Sequence, residues 1–431
     1  MNSPNPQQAS AAESAHEMQH PVIEDLRANP KLSDQGGPAN VRVLWRSPHA
    51  QKRPSGAAPQ IRKIPPELRR RQVRFASIPR WHRRVTARLA GDSQYLRSAV
   101  QLAFALLCVW IGIEFHLFVR WGQSGGTEAY VARPPGVEGF LPISALMGLS
   151  SWVQTGVLNS VHPSGVFILI AIVLLAVFFK KAFCGWMCPV GTLSESLWML
   201  GERIFGKNLR VPRILDYPLR SLKYLLLAFF VLSIIDMSVD DLGLFIHSPY
   251  NKMADVKMYS FFAAIGSFAL WTIIALMALS VIIKNFWCRY LCPYGALLGA
   301  LSWLSPLKIT RNKDRCIDCE LCTKACPSSI AVHKASRVWS DECMSCLRCT
   351  EVCPVKDTLD LRTRSGRRGV PNWVFAALLA GVFVAVTGLA MLTGHWHNAI
   401  SQTEYLKRFQ QINTSVYQHH QGRVPDYGPN D

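Results

Sequence analysis

Five apolar runs constrain this chain more than any other feature: Ala99 to Phe118, Ser164 to Phe179, Leu222 to Met237, Tyr259 to Ile283 and Trp373 to Leu392. Each is long enough, or nearly so, to cross the roughly 30 Å of hydrocarbon in a bilayer as a helix. No water satisfies backbone polar groups in that medium, so helix is the form such a run takes. The second and third runs are short and reach both interfaces only if Lys180, Lys181 and Lys223 snorkel outward. Buried helices of a soluble protein are the competing reading for those two. With 49% hydrophobic and 17% charged residues, the chain is too apolar for a disordered protein and low in charge for a soluble enzyme.

The formal net charge is +19, and its distribution carries an orientation. Residues 180–223 hold eight basic residues and 308–368 hold thirteen, whereas 119–163 hold only Arg120 and Arg133, and 238–258 only Lys252 and Lys257. Cytoplasmic loops collect Lys and Arg, so the amino terminus is expected inside and the carboxyl terminus outside. Residues 1–97 carry 17 Lys or Arg against 7 acids without apolar periodicity, the composition of a basic, mostly disordered cytoplasmic arm. The first apolar run begins only near Ala99, so no cleavable signal is expected. The domains that follow are a four-helix membrane part at 98–307, a cysteine-rich module at 308–361, a fifth helix at 362–393 and a periplasmic tail at 394–431. The basic surplus tracks the membrane sides, which favours anionic lipid over nucleic acid as its partner.

Twelve of the thirteen cysteines fall in four tight groups, too few and too clustered for a disulfide scaffold. Cys316, Cys319, Cys322 and Cys326 follow C-x2-C-x2-C-x3-C-P, and Cys343, Cys346, Cys349 and Cys353 repeat it, ending in Pro327 and Pro354. This is the bacterial two-cluster ferredoxin spacing, in which the fourth cysteine of each run ligates the other cluster. Cys316, Cys319, Cys322 and Cys353 are therefore expected to hold one [4Fe-4S] cluster, and Cys343, Cys346, Cys349 and Cys326 the second. A structural zinc site would instead pair C-x2-C units across a longer spacer.

The other two groups are Cys184-Gly185-Trp186-Met187-Cys188-Pro189-Val190-Gly191 and Cys288-Arg289-Tyr290-Leu291-Cys292-Pro293-Tyr294-Gly295. Each reads C-x3-C-P-x-G after an aromatic residue and follows an apolar run, so the chain contains an internal duplication. Cysteines at i and i+4 share one face of a helical turn, and the proline disfavours helix at the residue before it. Two such pairs brought together supply four thiolates, enough for a third cluster or another soft-metal site. Redox-active thiols and a purely structural turn are the competing readings. Cys108, alone in the first run, reads as a packing residue.

No C-x-x-C-H, nucleotide-binding loop or dinucleotide fingerprint occurs, which excludes covalent c-type haem and leaves no nucleotide site. Glu114 and His116 near the outer end of the first run, Asp236 near that of the third, and His162 before the second are ionisable groups at membrane depth. They read either as hydrated interfacial side chains or as a quinone pocket or proton exit. His395, His397, His419 and His420 read as solvated or as a metal site in the tail.

The stretch Arg133-Pro134-Pro135-Gly136-Val137-Glu138, the segment Leu141-Pro142-Ile143-Ser144-Ala145-Leu146, His162-Pro163 and both C-x3-C-P motifs resemble membrane polyferredoxins of the NapH type. They also resemble the carboxyl-terminal membrane part of the NosR type. The resemblance runs from about Ala99 to Leu361. It implies electron transfer between the quinone pool or a cytoplasmic donor and a periplasmic or membrane-bound reductase partner, in a bacterial inner membrane. An assembly factor supplying electrons or metal to a periplasmic metalloenzyme, and a membrane redox sensor, are the alternatives. The expected fold class is an α-helical membrane protein of about five transmembrane helices with an inserted α+β ferredoxin module.

Overall fold

The computed structural model describes residues 93–364, 366, 369–417 and 427. The basic arm up to residue 92, with His419 and His420, lies outside the described residues. The helices are α1 (Ser93–Gln123), α2 (Pro142–Thr155), α3 (Pro163–Phe179), α4 (Ala182–Trp186), α5 (Pro189–Phe205), α6 (Arg213–Ile235), α7 (Val239–His247), α8 (Ala254–Ala263), α9 (Ser267–Ile282), α10 (Pro293–Leu301), α11 (Asn372–Leu392) and α12 (Gln402–Gln411). A two-stranded antiparallel sheet, β1 (Lys308–Arg311) with β2 (Leu359–Arg362), pairs Lys308 with Arg362 and Arg311 with Leu359.

Helix α3 is apolar on every side, and a helix of that kind belongs in the middle of a bundle. Val166, Leu169, Ala171, Leu175 and Ala176 are fully or almost fully buried, and α2, α10 and α11 pack around it. Helices α1, α6, α9 and α11 instead expose Leu106, Trp110, Phe229, Trp271 and Val384. So much exposed apolar surface is not compatible with water and matches a lipid-facing rim.

Among the described residues three helices are long and apolar enough to cross a membrane, Ser93–Gln123, Ile214–Ile235 and Asn372–Leu392. The fourth expected run is not one helix: α8 and α9 meet at 82° across a short break. Gly266 sits at that break as the N-cap of α9 in an extended conformation. Glycine is costly in a helix interior and is a recognised cause of sharp kinks. Counting the bent pair as one span gives up to four, with the 17-residue α3 as a shorter apolar helix.

The sheet closes the cysteine-rich segment by bringing residues 308 and 362 together. The segment does not hang free. One apolar core joins its Ile309, Val338, Leu347 and Leu361 to Leu175 and Phe179 of α3, Trp186 of α4, and Phe375 and Leu379 of α11.

Candidate functional site

The eight ferredoxin-type cysteines gather around two cavities. Cys316, Cys319, Cys322 and Cys353 line one, with Arg311, His333 and Pro354. Cys326, Cys343, Cys346 and Cys349 line the other, walled by Ile309, Val332 and Val338. The first, outer cage has an exposed cysteine, Cys319, whereas Cys343 and Cys349 of the inner cage are buried. Each leading loop repeats one backbone device. Asp318 and Glu320 have φ of 49° and 60°, and Ser345 and Leu347, at the same offsets from Cys343, have φ of 47° and 57°. Left-handed residues alternating with right-handed ones turn successive N–H groups inward, forming a nest that suits an anionic group. Burial pushes the Cys326 thiol up to about 12, with nearby Cys346 and Cys343 adding to it. Cys349 is raised well above its ordinary value by burial and by Cys346, Cys326 and Cys343. A cationic metal bound among them would favour their thiolate form. In each case the four sulfur donors ring a cavity, the arrangement an extended cluster requires.

The duplicated motifs share one geometry in detail. The N–H of Cys188 donates to the Phe183 carbonyl at 2.9 Å, and that of Cys292 to the Trp287 carbonyl at 3.0 Å. Both bonds span five residues, the wide turn often found at functional sites. Cys188 and Cys292 are then the N-caps of α5 and α10, with Pro at the first helical position, and their Sγ atoms accept from Gly191 N at 3.4 Å and Gly295 N at 3.3 Å. The closing glycine is required by packing. A Cβ at Gly191 would lie 2.3 Å from the Cys184 carbonyl oxygen, and one at Gly295 3.2 Å from that of Cys288.

The two motifs also meet. Burial raises the Cys184 thiol, and Cys188 and Cys292 raise it further while Lys181 opposes them. Cys288 is raised by burial and by Cys292, Cys188 and Cys184. Thiols from both halves of the duplication therefore lie near enough to feel one another's charge. Cys108 is half-buried on α1.

A family model described as a 4Fe-4S binding domain matches twice, at residues 161–208 and 264–312, one copy over each C-x3-C-P motif. A 4Fe-4S dicluster domain matches residues 309–361. A protein from Escherichia coli K12 named "Putative electron transport protein YccM" is 42% identical over 320 residues, which is 73% of this chain and 90% of that relative. The ferredoxin-type protein NapH of Haemophilus influenzae is 26% identical over 37% of this chain and 52% of its own length. The regulatory protein NosR of Pseudomonas aeruginosa is 28% identical over 37% of this chain and 22% of its own. The chain belongs to the NapH/NosR-type membrane polyferredoxins. No solved structure matches it.

In this polyferredoxin the three lysines expected to snorkel do the opposite. Lys180, Lys181 and Lys223 are buried, because the ferredoxin module sits over the helix ends they flank. Lys180 Nζ donates to the Ser340 carbonyl at 2.7 Å, Lys181 Nζ lies 3.6 Å from Glu342 Oε2, and Lys223 pairs with Glu342. Arg220 adds bonds to Asp341 at 3.0 Å and Glu342 at 3.2 Å, and the Tyr224 hydroxyl donates to Asp341 at 2.6 Å. On the other side Glu195 of α5 receives Arg97 at 2.5 and 2.6 Å, Gln101 at 3.0 Å and Arg348 at 2.6 Å. The sequence reading passed over these acids, although Glu195 and Asp216 stand out as acids in the strongly basic 180–223 segment. Beside Cys326 a cavity of about 350 Å³ opens at the seam, lined by Asp216, Arg220, Arg289, Tyr290 and Glu342.

At the opposite end Arg133 and Glu138 of the one stretch and His162 of the other form one buried ionic knot with Asp255. Arg133 donates to Asp255 at 2.5 Å and Glu138 at 2.8 Å. Glu138 also accepts from the Ser164 hydroxyl and, at 2.9 Å, from Gly165 N at the start of α3, and His162 Nε2 meets the Asn251 carbonyl at 2.7 Å. Burial disfavours the Glu138 carboxylate, but Arg133 and His162 hold it down at about 2. Glu114, His116 and Asp236 are not part of this knot. His116 is exposed with its Nδ1 2.6 Å from the Tyr259 hydroxyl, Glu114 is half-buried on α1 and Asp236 is exposed. In the tail, α12 folds back so that Phe409 packs on Phe118 and on Gly122, while His395 and His397 are exposed.

Proposed function

We propose that this polyferredoxin passes single electrons between its ferredoxin module and a four-thiol centre at the membrane edge. Cys316, Cys319, Cys322 and Cys353 would hold one [4Fe-4S] cluster, Cys343, Cys346, Cys349 and Cys326 the second, and Cys184, Cys188, Cys288 and Cys292 a third. Each cluster supplies one-electron chemistry with no change in bonded atoms, at a potential set by charge, hydrogen bonds and exposure. The carrying observation is that cysteines of both cavities share one apolar core with Trp186 and Met187 of the first C-x3-C-P motif, while Arg289 of the second bonds the Ser328 carbonyl beside Cys326. Gly191 N and Gly295 N would stabilise thiolate at Cys188 and Cys292 from the helix N-termini. Buried Lys181 would add positive charge beside Cys184.

The larger reading follows the resemblance and the charge pattern. Five crossings of a bacterial inner membrane, with the amino terminus and ferredoxin module cytoplasmic, would link the quinone pool or a cytoplasmic donor to a periplasmic or membrane-bound redox partner. Glu114 and His116 lie on α1 and Asp236 follows α6. The 350 Å³ cavity beside Cys326, with Arg289 and Tyr290 as hydrogen-bonding side chains, supports quinone exchange at the seam better than at the outer ends. Anaerobic purification with iron and sulfide counting tests the core of the reading. About eight iron per chain come from the two ferredoxin-type cubanes and about twelve if the four-thiol site holds a third. A count near eight, with no further signal by electron paramagnetic resonance (EPR), removes the third centre.

A further inference from the structure

The two C-x3-C-P motifs differ at the positions directly after their first cysteines, Gly185-Trp186 against Arg289-Tyr290, and both use those positions to grip the ferredoxin module. A Cβ at Gly185 would come within 3.0 Å of the Met344 carbonyl oxygen, 3.2 Å of Met344 Cβ and 3.8 Å of Cys346 Cβ. Beside it the buried Trp186 indole N–H donates to the Ser345 carbonyl at 3.0 Å. The first motif thus lies flat on the loop between Cys343 and Cys346. In the second motif Arg289 Nη1 donates to the Ser328 carbonyl at 2.8 Å, two residues past Cys326. Its guanidinium is fixed by Asp216 at 3.0 and 2.8 Å, and Asp216 also accepts from the Tyr290 hydroxyl at 2.7 Å. Both loops belong to the inner cage. Among the described residues no hydrogen bond joins either motif to the Cys316–Cys322 loop of the outer cage.

From this we infer that the inner cage, held by Cys326, Cys343, Cys346 and Cys349, is the ferredoxin module's point of exchange with the four-thiol centre, and that Gly185, Trp186 and Arg289 are positioning residues that set the separation. The outer cage, with Cys319 exposed, is then the solvent-side end of the relay. The inference rests on the reading that the four thiols hold a redox centre. In the step one electron leaves the inner centre, which is oxidised, and enters the four-thiol centre, which is reduced. No bond is made or broken and no proton moves. The duplication acquires a physical reason: one motif clamps each side of the same cage, so the donor-acceptor distance is held from two directions.

The asymmetry of the pair supports the assignment. Glycine at 185 allows backbone contact with the Met344–Cys346 loop, which any side chain would prevent. Arginine at 289 reaches across a wider gap, the same gap that forms the 350 Å³ cavity beside Cys326. The inner-cage loop is also fastened from α1, where Gln94 Nε2 donates to the Cys346 carbonyl at 2.9 Å.

The test uses the full chain, purified anaerobically, photoreduced and freeze-quenched for EPR. In the wild type the four-thiol centre should show magnetic coupling to the cluster lost in Cys326→Ser, and not to the one lost in Cys319→Ser. Gly185→Val should weaken that coupling and slow arrival of the electron at the four-thiol centre severalfold, since its side chain pushes against the Met344 backbone and lengthens the separation. Iron content and each centre's own signal should persist. Trp186→Phe removes the N–H donor and one ring of the indole while keeping an aromatic side chain, and keeps the test available if Gly185→Val does not fold; it should weaken the coupling in the same direction. Coupling to the outer cage, or unchanged coupling and rate in both variants, overturns the inference while leaving a third centre in place. Absence of any third spin centre in the wild type, with about eight iron, overturns the underlying reading and the inference together.

Discussion

At the scale of single residues, the informative positions are the ones that a cluster or a close contact forces. Cys326 sits in the first C-x2-C-x2-C-x3-C-P run yet lines the cavity of the second, so Cys326→Ser should abolish the EPR signal of the inner cluster and spare the outer. Loss of the outer signal alone would reverse the assignment. The closing glycines of the membrane motifs make a graded pair. Ala at 191 would put a Cβ 2.3 Å from a backbone oxygen that cannot swing away, whereas Ala at 295 meets its counterpart at 3.2 Å. Gly191→Ala should cost about 1–3 kcal/mol through overpacking, and Gly295→Ala clearly less, as read from unfolding midpoints in detergent. The reverse order would mean that these carbonyl contacts do not set the cost. Glycine in C-P-x-G is visible in the sequence, but its reason is not, because the clashing atom belongs to the first cysteine's carbonyl and only the folded turn brings it near.

Among elements, the ferredoxin module is held to the membrane helices by acids whose partners come from several directions. Burial alone would raise the Glu195 carboxyl, but Arg97, Arg348 and Gln101 hold it down at about 2 against an ordinary 4.5. Because the folded value is the lower one, its contribution is complete above about pH 4.5 and is lost as the pH falls towards about 2. Amide hydrogen exchange in the first turns of α1, corrected for intrinsic rate, should therefore accelerate across that window. Glu195→Gln should show the faster exchange already at neutral pH, with the acid-dependent step gone. A variant that keeps the step would place its origin elsewhere. The bend between α8 and α9 belongs to this scale as well: the run Tyr259 to Ile283 has the composition of one span, and Gly266 divides it.

For the whole molecule, topology and the four-thiol site are the quantities to measure. Reporter fusions at Gly206 should report the cytoplasm, and fusions at Gly136 and at the carboxyl terminus the outside. A cytoplasmic carboxyl terminus would mean that α11 does not cross alone. If the two C-x3-C-P motifs act as one site, Cys184→Ser, Cys288→Ser and the double variant should lose electron transfer to a similar extent while the ferredoxin clusters persist, since groups acting as a unit are strongly non-additive. Additive losses would argue for two separate thiol sites.

What the sequence determined by itself is what local chemistry carries: apolar runs that must be helices, cysteines at cluster spacing, a duplicated thiol motif and the sides on which basic residues collect. Those follow from covalent spacing and from partition between water and hydrocarbon, and neither depends on distant residues. The choice of the inner cage as the one that touches both motifs, and the inward turn of Lys180, Lys181 and Lys223, were decided only by tertiary structure. The physical reason is the same in each case. Periodicity and composition say how far along a membrane a side chain lies, whereas packing against a module more than a hundred residues away decides which way it faces and which charge it meets.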